Sequence, residues 1–211
     1  MKLGGALFLA YLLIFALCFS YPIAHFAKSL RTHYLEGVEE PLVDQANILA
    51  ELVGWGMENS GFSPADWTEV FGRVHARELS AKIYEMRKKQ VDVRVYLTDA
   101  QGHVIFDSED PGEVGAHYSG WRDVALTLQG KYGARSTRSV PGDPATSVLY
   151  VAAPVKVRGA TVGVLSVGKP MTSINAFLKT ARPEILKIAA LSGLVAVVLS
   201  LLVSWWVSRQ I

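Results

Sequence analysis

The chain has 211 residues, half of them hydrophobic, and its 21 basic and 19 acidic side chains give a net charge of +2. This small, dispersed charge lacks the basic patch of nucleic-acid-binding proteins, so no nucleic acid is expected as a partner. The single cysteine, Cys18, excludes an internal disulfide bond and a metal site built from several thiolates.

Two apolar runs predict transmembrane helices. They occupy residues 3–26 and 185–207, and each is longer than the roughly 20 residues that cross a hydrocarbon core. The first run lacks a small-residue cleavage site, which favours an uncleaved anchor over a signal peptide. The predicted division is a first transmembrane helix (1–27), an extramembrane domain (28–184), a second transmembrane helix (185–207) and the start of a linker (208–211).

Helical patterns follow the first run. Residues 37–57 place Val38, Leu42, Gln45, Leu49, Leu52 and Gly56 at alternating steps of four and three, which predicts a long helix. This face packs either on its own domain or on a second copy of the chain, and both alternatives stay open. A second helix is predicted from Pro64 to about Leu79, and the basic residues 87–89 are expected in a solvated loop.

The periodicity then changes to that of strands. Val93, Val95 and Leu97 alternate with polar residues, and Asp99 and Gly102 occupy the first and fourth positions of a tight turn. The chain continues with a strand at 104–106, a short helix at 121–129 and strands at 132–137, 147–155 and 161–167. This order predicts an α+β domain with a five-stranded antiparallel sheet and a long N-terminal helix.

The residues offer no recognisable catalytic machinery. There is no nucleophile–base motif, glycine-rich phosphate loop or HExxH pattern, and the five histidines lack metal-ligand spacing. Asp99 and Asp107 flank His103, but we interpret the two acids as turn and strand-edge residues rather than as a catalytic pair. No catalytic or metal site is therefore predicted.

A binding pocket remains possible beside a small sheet covered by helices. Polar and aromatic residues of the strands and the short helix are its candidates, although each also has a structural alternative: Arg94, Tyr96, Trp121, Arg122, Lys131, Arg135 and Tyr150. Gly168, Lys169 and Pro170, at the end of the last strand, are predicted to relay a signal to the second transmembrane helix.

The segments "LTDAQGHVIFDS", "VGAHYSGWRDVALTLQGKYGARST", "SVLYVAAPV" and "VGVLSVGKP" resemble the extracytoplasmic PAS-like (single Cache) domains of bacterial sensor histidine kinases. The resemblance implies a two-pass protein of the bacterial inner membrane, dimeric through its long helix and transmembrane helices. It places the central domain in the periplasm, an orientation that the charges do not decide.

The same resemblance implies that a HAMP linker, dimerisation helices and a kinase domain follow the second transmembrane helix. The chain is therefore expected to be a sensory fragment without enzymatic activity or cofactor. ATP and Mg²⁺ would serve the kinase domain, and the response regulator CreB would receive its phosphate. The periplasmic partner is an unknown small molecule or protein.

The related citrate and C4-dicarboxylate sensors are similar in their hairpin, where Arg and His bind carboxylates. Val104 and Asp107 occupy those places here, and Tyr150 and Ala152 replace a later Arg-x-Lys pair. A desolvated anion needs charged donors, so a polycarboxylate ligand is not expected.

Two alternatives stay open. The same input domain serves chemoreceptors and cyclic-dinucleotide enzymes, and a membrane interaction protein would use it to bind a protein partner.

Overall fold

The structure is a computed structural model that describes residues 3–84, 86–138, 140–143 and 146–210. These divide into two compact units, one formed by Gly37–Ser173 and the other by Met1–Glu36 with Ile174–Ile211.

The second unit is helical. It contains the first part of α1 (Leu3–Glu58) and nearly all of α4 (Thr172–Gln210). Among the described residues, one segment, Ala190–Val207, is long and apolar enough to cross a membrane. Its large side chains include Leu194, Leu202 and Trp206, which are more than half exposed and suit a lipid environment. The first predicted transmembrane helix stays a prediction.

The Gly37–Ser173 unit is built on the predicted five-stranded antiparallel sheet. Its strands are β3 (Arg94–Asp99), β4 (Val104–Asp107), β5 (Gly133–Arg138), β6 (Ser147–Val157) and β7 (Ala160–Pro170). Their order across the sheet is β4-β3-β7-β6-β5, so β7 lies at the centre. The α+β class and the antiparallel sheet are confirmed.

The two central eleven-residue strands, β6 and β7, form one long hairpin. Its turn contains Arg158 and Gly159, both with positive φ, as two-residue hairpin turns require. The sequence predicts a last strand over 161–167 that ends at Gly168–Pro170, and the structure continues β7 to Pro170. Gly168 pairs with both Arg94 and Tyr150, and Lys169 with Leu149. The three predicted relay residues therefore lie at the end of the strand, and their role in signalling stays a prediction.

Helices cover both faces of this sheet. The helix α2 (Pro64–His75) places Trp67 and Phe71 against Phe106 of β4, with ring centroids 5.7 and 5.4 Å apart. The other face carries α3 (Arg122–Leu128) and a core of Tyr96, Val104, Tyr118, Val124, Tyr150, Ala152 and Val164. Since both faces of the sheet are covered, the inner strand β3 is buried along nearly its whole length.

A small hairpin corrects the predicted basic loop. The strands β1 (Ala81–Ile83) and β2 (Met86–Lys88) pair antiparallel, so Arg87 and Lys88 lie in a strand. The preceding helix ends at His75 rather than near Leu79, because the Leu79 N–H donates to the Lys89 carbonyl at 2.7 Å and begins this hairpin.

The C-terminal part of α1 buries part of the predicted seam. Leu42, Ala46, Ala50 and Val53 are at most 3% exposed, and Gly56 is also buried, whereas Gln45 and Leu52 of the predicted seam face solvent. Small residues permit close packing: a Cβ on Gly54 would lie 2.3 Å from the Lys156 carbonyl oxygen of β6. The predicted seam is therefore divided between a buried and an exposed side of the helix. The exposed side of the helix carries Ile48, Leu52 and Trp55.

Candidate functional site

Five of the seven predicted binding residues converge on the α3 face of the sheet. Arg94, Tyr96, Trp121, Arg135 and Tyr150 form one cluster with two carboxylates, Asp107 and Asp123. Strand register explains part of the convergence, since Arg135 pairs with Tyr150 and Tyr150 pairs with Gly168, which pairs in turn with Arg94.

Gly168 makes room for the Tyr150 ring. A Cβ at Gly168 would lie 2.4 Å from Cε1 of Tyr150, so the ring lies directly over the glycine. The Tyr150 hydroxyl consequently reaches Nη1 of Arg94, which donates to it at 3.4 Å.

Asp123 lies at the centre of the cluster and is fully buried. Its Oδ2 accepts from the hydroxyl of Tyr96 and, at 2.9 Å, from that of Ser166. Its Oδ1 accepts from Nε of Arg135 at 2.8 Å. The first turn of α3 thus supplies one carboxylate with three donors from three strands.

Asp107 is the second buried carboxylate, with 2% of its surface exposed. Arg94 donates to it in a forked arrangement, with Nε 3.1 Å from both oxygens and Nη2 2.6 Å from Oδ2. Its Oδ1 also accepts from the backbone N–H groups of Glu109 and Asp110, both at 3.0 Å. Asp107 thus has the predicted place at the end of the edge strand β4 and accepts from the turn that follows, and its buried carboxylate also binds Arg94, which the sequence did not predict.

Aromatic rings enclose these ion pairs. Tyr96 contacts Tyr118 and Tyr150 with centroids 5.3 and 5.8 Å apart, and Tyr118 stacks on Trp121 at 3.4 Å. The guanidinium of Arg135 lies 4.0 Å from the Trp121 ring centroid and 4.4 Å from that of Tyr150. Such contacts stabilise a cation that has left bulk water.

The electrostatics follow from burial and pairing. Burial lowers the pKa of the Arg94 guanidinium, but the hydrogen bonds to Asp107 more than offset this, and the net pKa rises. Burial likewise lowers the pKa of Arg135, but the opposing effects, of which the charge of Asp123 is the largest, are stronger, and the net pKa rises. Burial and then the charge of Asp123 raise the pKa of Tyr96 well above its usual value. Both arginines are thus charged, and Tyr96 is a neutral donor.

This arrangement leaves little charge for a ligand. Each guanidinium already faces an internal carboxylate, so the cluster offers a balanced polar surface rather than an anion site. The buried Nη2 of Arg135 has no hydrogen-bond partner among the described residues.

The other two predicted residues lie elsewhere. Arg122 and Lys131 are exposed, and Lys131 contacts the side chain of Gln129 at 3.4 Å. The sequence also missed Asp107, Asp123, Tyr118 and Ser166 as members of the cluster. An acid in the first turn of a helix is ordinary, so Asp123 carried no signal of its burial.

The turn before β4 has the predicted structure. Oδ1 of Asp99 accepts from the backbone N–H groups of Gln101 and His103 at 2.9 and 2.8 Å, and Gly102 has φ of 87°. Burial raises the pKa of Asp99, but these hydrogen bonds lower it by more, so the net pKa is below the usual value.

A third polar group ties the end of β7 to the segment before β3. Asp92 accepts from the ammonium groups of Lys169 and Lys88, and these bonds outweigh burial and lower its pKa. Burial lowers the pKa of Lys169 despite Asp92, with the like charge of Lys88 adding to the effect. The attraction between Asp92 and the two lysines is the dominant interaction here, because one carboxylate lies between two cations.

No family model matches the chain. It is 37% identical over 211 residues to the sensor protein CreC of Escherichia coli (strain K12), an alignment that covers 100% of this chain and 44% of that protein. The chain therefore spans less than half the length of this curated relative.

The fold is shared with a solved sensor domain. The sensor domain of the histidine kinase DctB from V. cholerae superposes with a TM-score of 0.51 at 13% identity, covering 72% of this chain and 57% of that one. A methyl-accepting chemotaxis protein from Vibrio parahaemolyticus gives a TM-score of 0.42 at 12% identity, covering 70% and 98% of the two chains.

The sequence similarity and the shared fold agree with each other and fit a sensory input portion. Along its whole length this chain is therefore similar to the sensor protein CreC, and it shares the fold of a histidine kinase sensor domain.

Proposed function

We propose that this chain is the sensory and transmembrane signalling part of a two-component sensor histidine kinase. The observation that carries the proposal is the 37% identity to a sensor protein over all 211 residues. The shared fold with a histidine kinase sensor domain supports it. The Gly37–Ser173 unit is the proposed periplasmic detector.

The output belongs to the whole protein. Since the chain spans 44% of its relative, the kinase activity, its ATP and Mg²⁺, and the response regulator are proposed for a longer polypeptide. The residues described here contain the proposed detector and the helices that would transmit its signal.

The proposed topology is two-pass, with the sheet-containing unit in the periplasm of a bacterial inner membrane. The apolar segment Ala190–Val207 supports the second crossing, and the apolar sequence 3–26 supports the first. Alkaline phosphatase is active only in the periplasm. A fusion after Met171 should therefore be active and a fusion after Ile211 inactive; the reverse result would refute this topology.

The proposed homodimer uses the exposed side of α1. Ile48, Leu52 and Trp55 are 60%, 55% and 64% exposed and follow one another at steps of four and three. With Gln45 they form a heptad-like seam that is complementary to the same seam on a second copy. This seam keeps Gln45 and Leu52 of the predicted one, whose residues Leu42 and Gly56 are buried within the domain.

The proposed signal differs from that of dicarboxylate sensors. An anion entering the cluster would compete with Asp107 or Asp123, and separating either pair leaves a charge buried without its partner. We therefore propose a neutral hydrogen-bonding ligand or a protein partner for the detector. The relay then runs through β7, whose Gly168 contacts the Tyr150 ring and whose Lys169 binds Asp92.

The function is tested in a chimera. This chain replaces its aligned portion in E. coli CreC, and phosphotransfer to the response regulator is measured in membrane vesicles. A functional input portion should support phosphotransfer, and the cluster variant Arg94→Ala should change its rate. A control variant, Arg122→Ala, alters an exposed arginine of the same unit. Phosphotransfer that is equal in all three chimeras would contradict the proposal.

A further inference from the structure

Two histidines that are distant in sequence face each other at the edge of the sheet. His103 lies between the Asp99–Gly102 turn and β4, and His117 lies in the segment before α3. They form an isolated antiparallel bridge, and their ring centroids are 4.8 Å apart. Both side chains are exposed to solvent, which leaves their rings accessible to a dissolved ion.

A hydrogen bond at Nδ1 orients each ring. Nδ1 of His103 lies 3.2 Å from Oδ2 of Asp99. A carboxylate only accepts, so the proton of the neutral ring is on Nδ1, and Nε2 carries the free lone pair. Nδ1 of His117 lies 3.2 Å from the hydroxyl of Ser119, which accepts equally well and permits the same tautomer. A histidine that donates from one nitrogen to a carboxylate or hydroxyl is prepared to bind a metal through the other.

The backbone holds the two histidines together. The N–H of Tyr118 donates to the Gly102 carbonyl at 2.7 Å, and that of Val104 donates to the Ala116 carbonyl at 2.9 Å. Gly102 packs so closely that a Cβ there would lie 2.7 Å from Cβ of Ser119. The pair is therefore pre-organised, and a ligand bridging both rings would not need to order the segments first.

We propose that His103 and His117 bind one divalent ion of the Zn²⁺ and Cu²⁺ class through their Nε2 atoms, with Asp99 orienting the first ring. Imidazole nitrogen suits these ions, whereas Mg²⁺ and Ca²⁺ prefer oxygen. No group of three or more potential metal-ligating side chains occurs among the described residues. Water therefore completes the coordination, and the ion exchanges readily.

The position of the pair lets a bound ion affect the candidate site through the chain. His117 is followed directly by Tyr118, whose ring stacks on Trp121 and contacts Tyr96. A bridged pair fixes the segment that carries Tyr118 over the buried ion pairs. The inference goes beyond the proposed function and does not depend on it, because metal binding is measured on this chain without any kinase.

The test uses the full chain in detergent, prepared without a histidine tag, and isothermal titration with Zn²⁺ or Cu²⁺. One ion per chain should bind, Cu²⁺ more tightly than Zn²⁺, with no binding of Mg²⁺. His103→Gln and His117→Gln should each weaken binding at least about tenfold. The matched control is His33→Gln, because His33 is also exposed and 3.1 Å from a carboxylate, that of Glu36. That control should bind like the wild type.

Asp99→Asn separates orientation from ligation. An Asn oxygen still accepts from the backbone at this turn, but its amide donates toward Nδ1 and favours the tautomer protonated at Nε2. Zn²⁺ affinity should fall about tenfold while the fold is kept. Electron paramagnetic resonance of the Cu²⁺ complex should show two imidazole nitrogens in the wild type and one in His117→Gln. Unchanged affinity in both histidine variants, or a Cu²⁺ spectrum that does not depend on His117, would overturn the proposal.

Discussion

Replacing Asp123 with alanine tests whether the polar cluster is an integral part of the fold. The change removes the carboxylate that accepts from the hydroxyls of Tyr96 and Ser166 and leaves the charge of Arg135 without its carboxylate. A buried hydroxyl without a partner costs about 1–3 kcal/mol. Breaking a buried ion pair on one side costs about 3–5 kcal/mol.

These contributions overlap, and the side chain of Arg135 keeps 16% exposure, so we expect a total loss of about 4 kcal/mol. For a domain of this size that corresponds to a fall in Tm of about 10 °C. The assay is thermal unfolding followed by near-ultraviolet circular dichroism, which reports the packing of the tyrosine and tryptophan rings. The control Asp44→Ala removes an exposed acid from α1 and should change stability by no more than about 0.5 kcal/mol.

The double variant Asp123→Ala with Arg135→Gln isolates the ion pair. It removes the unpaired charge. Its loss in the free energy of unfolding should therefore be about 1–3 kcal/mol smaller than the sum of the losses in the two single variants. A loss below about 1 kcal/mol in Asp123→Ala, or strict additivity in the double variant, would show that Asp123 does not stabilise the cluster as described.

Four further predictions concern an ion pair, a glycine, the exposed seam of α1 and carboxylate ligands. Asp92→Asn should be less stable than the wild type near neutral pH. Because the folded-state pKa of Asp92 is lowered, the difference should be complete above the usual value of 3.8 and should shrink as the pH falls from there through the lower folded-state pKa, which unfolding at pH 7 and pH 3 measures. Gly168→Ala should lose about 1–3 kcal/mol because its Cβ meets the Tyr150 ring, whereas Gly120→Ala, with nothing within 4 Å, should not. Ile48→Glu should shift the detergent-solubilised chain from dimer to monomer in analytical ultracentrifugation, with Glu51→Gln as the control; a persistent dimer would exclude this seam. Citrate, succinate and malate should not raise the Tm, and a rise of several degrees would show that the internal carboxylates are displaced.

The fold could be predicted from sequence because local signals agree with it. The alternation of residues 93–97 and the Asp99–Gly102 turn predicted the β3–β4 hairpin, which the structure confirms. The prediction of a loop at 87–89 was wrong, because charge favours an exposed position but does not distinguish a loop from an exposed strand. A two-stranded hairpin of three residues a side contributes too little periodicity to be recognised.

The cluster could be predicted only in part. Strand alternation correctly placed Arg94 and Tyr96 on one face, with Tyr150 reaching both. The partners of the two acids are close in sequence, since Arg94 and Asp107 lie on the paired strands β3 and β4 and Arg135 follows Asp123 by 12 residues. What the sequence did not show is that both carboxylates are buried, because this depends on more distant contacts, such as that of Ser166 on β7 with Asp123.

The strand order also has a consequence for synthesis. The strand β3 precedes its neighbour β7 by some sixty residues, and β7 is the last strand made before α4. While the chain is being translated, the edge of β3 that β7 will cover stays open, and the buried Asp123 has no complete set of donors. Pairing over such a separation is slow, and an open edge invites strands of other chains. A truncation that ends before Gly163 would leave this edge open permanently, so shortened forms of the domain should aggregate rather than bind ligand weakly.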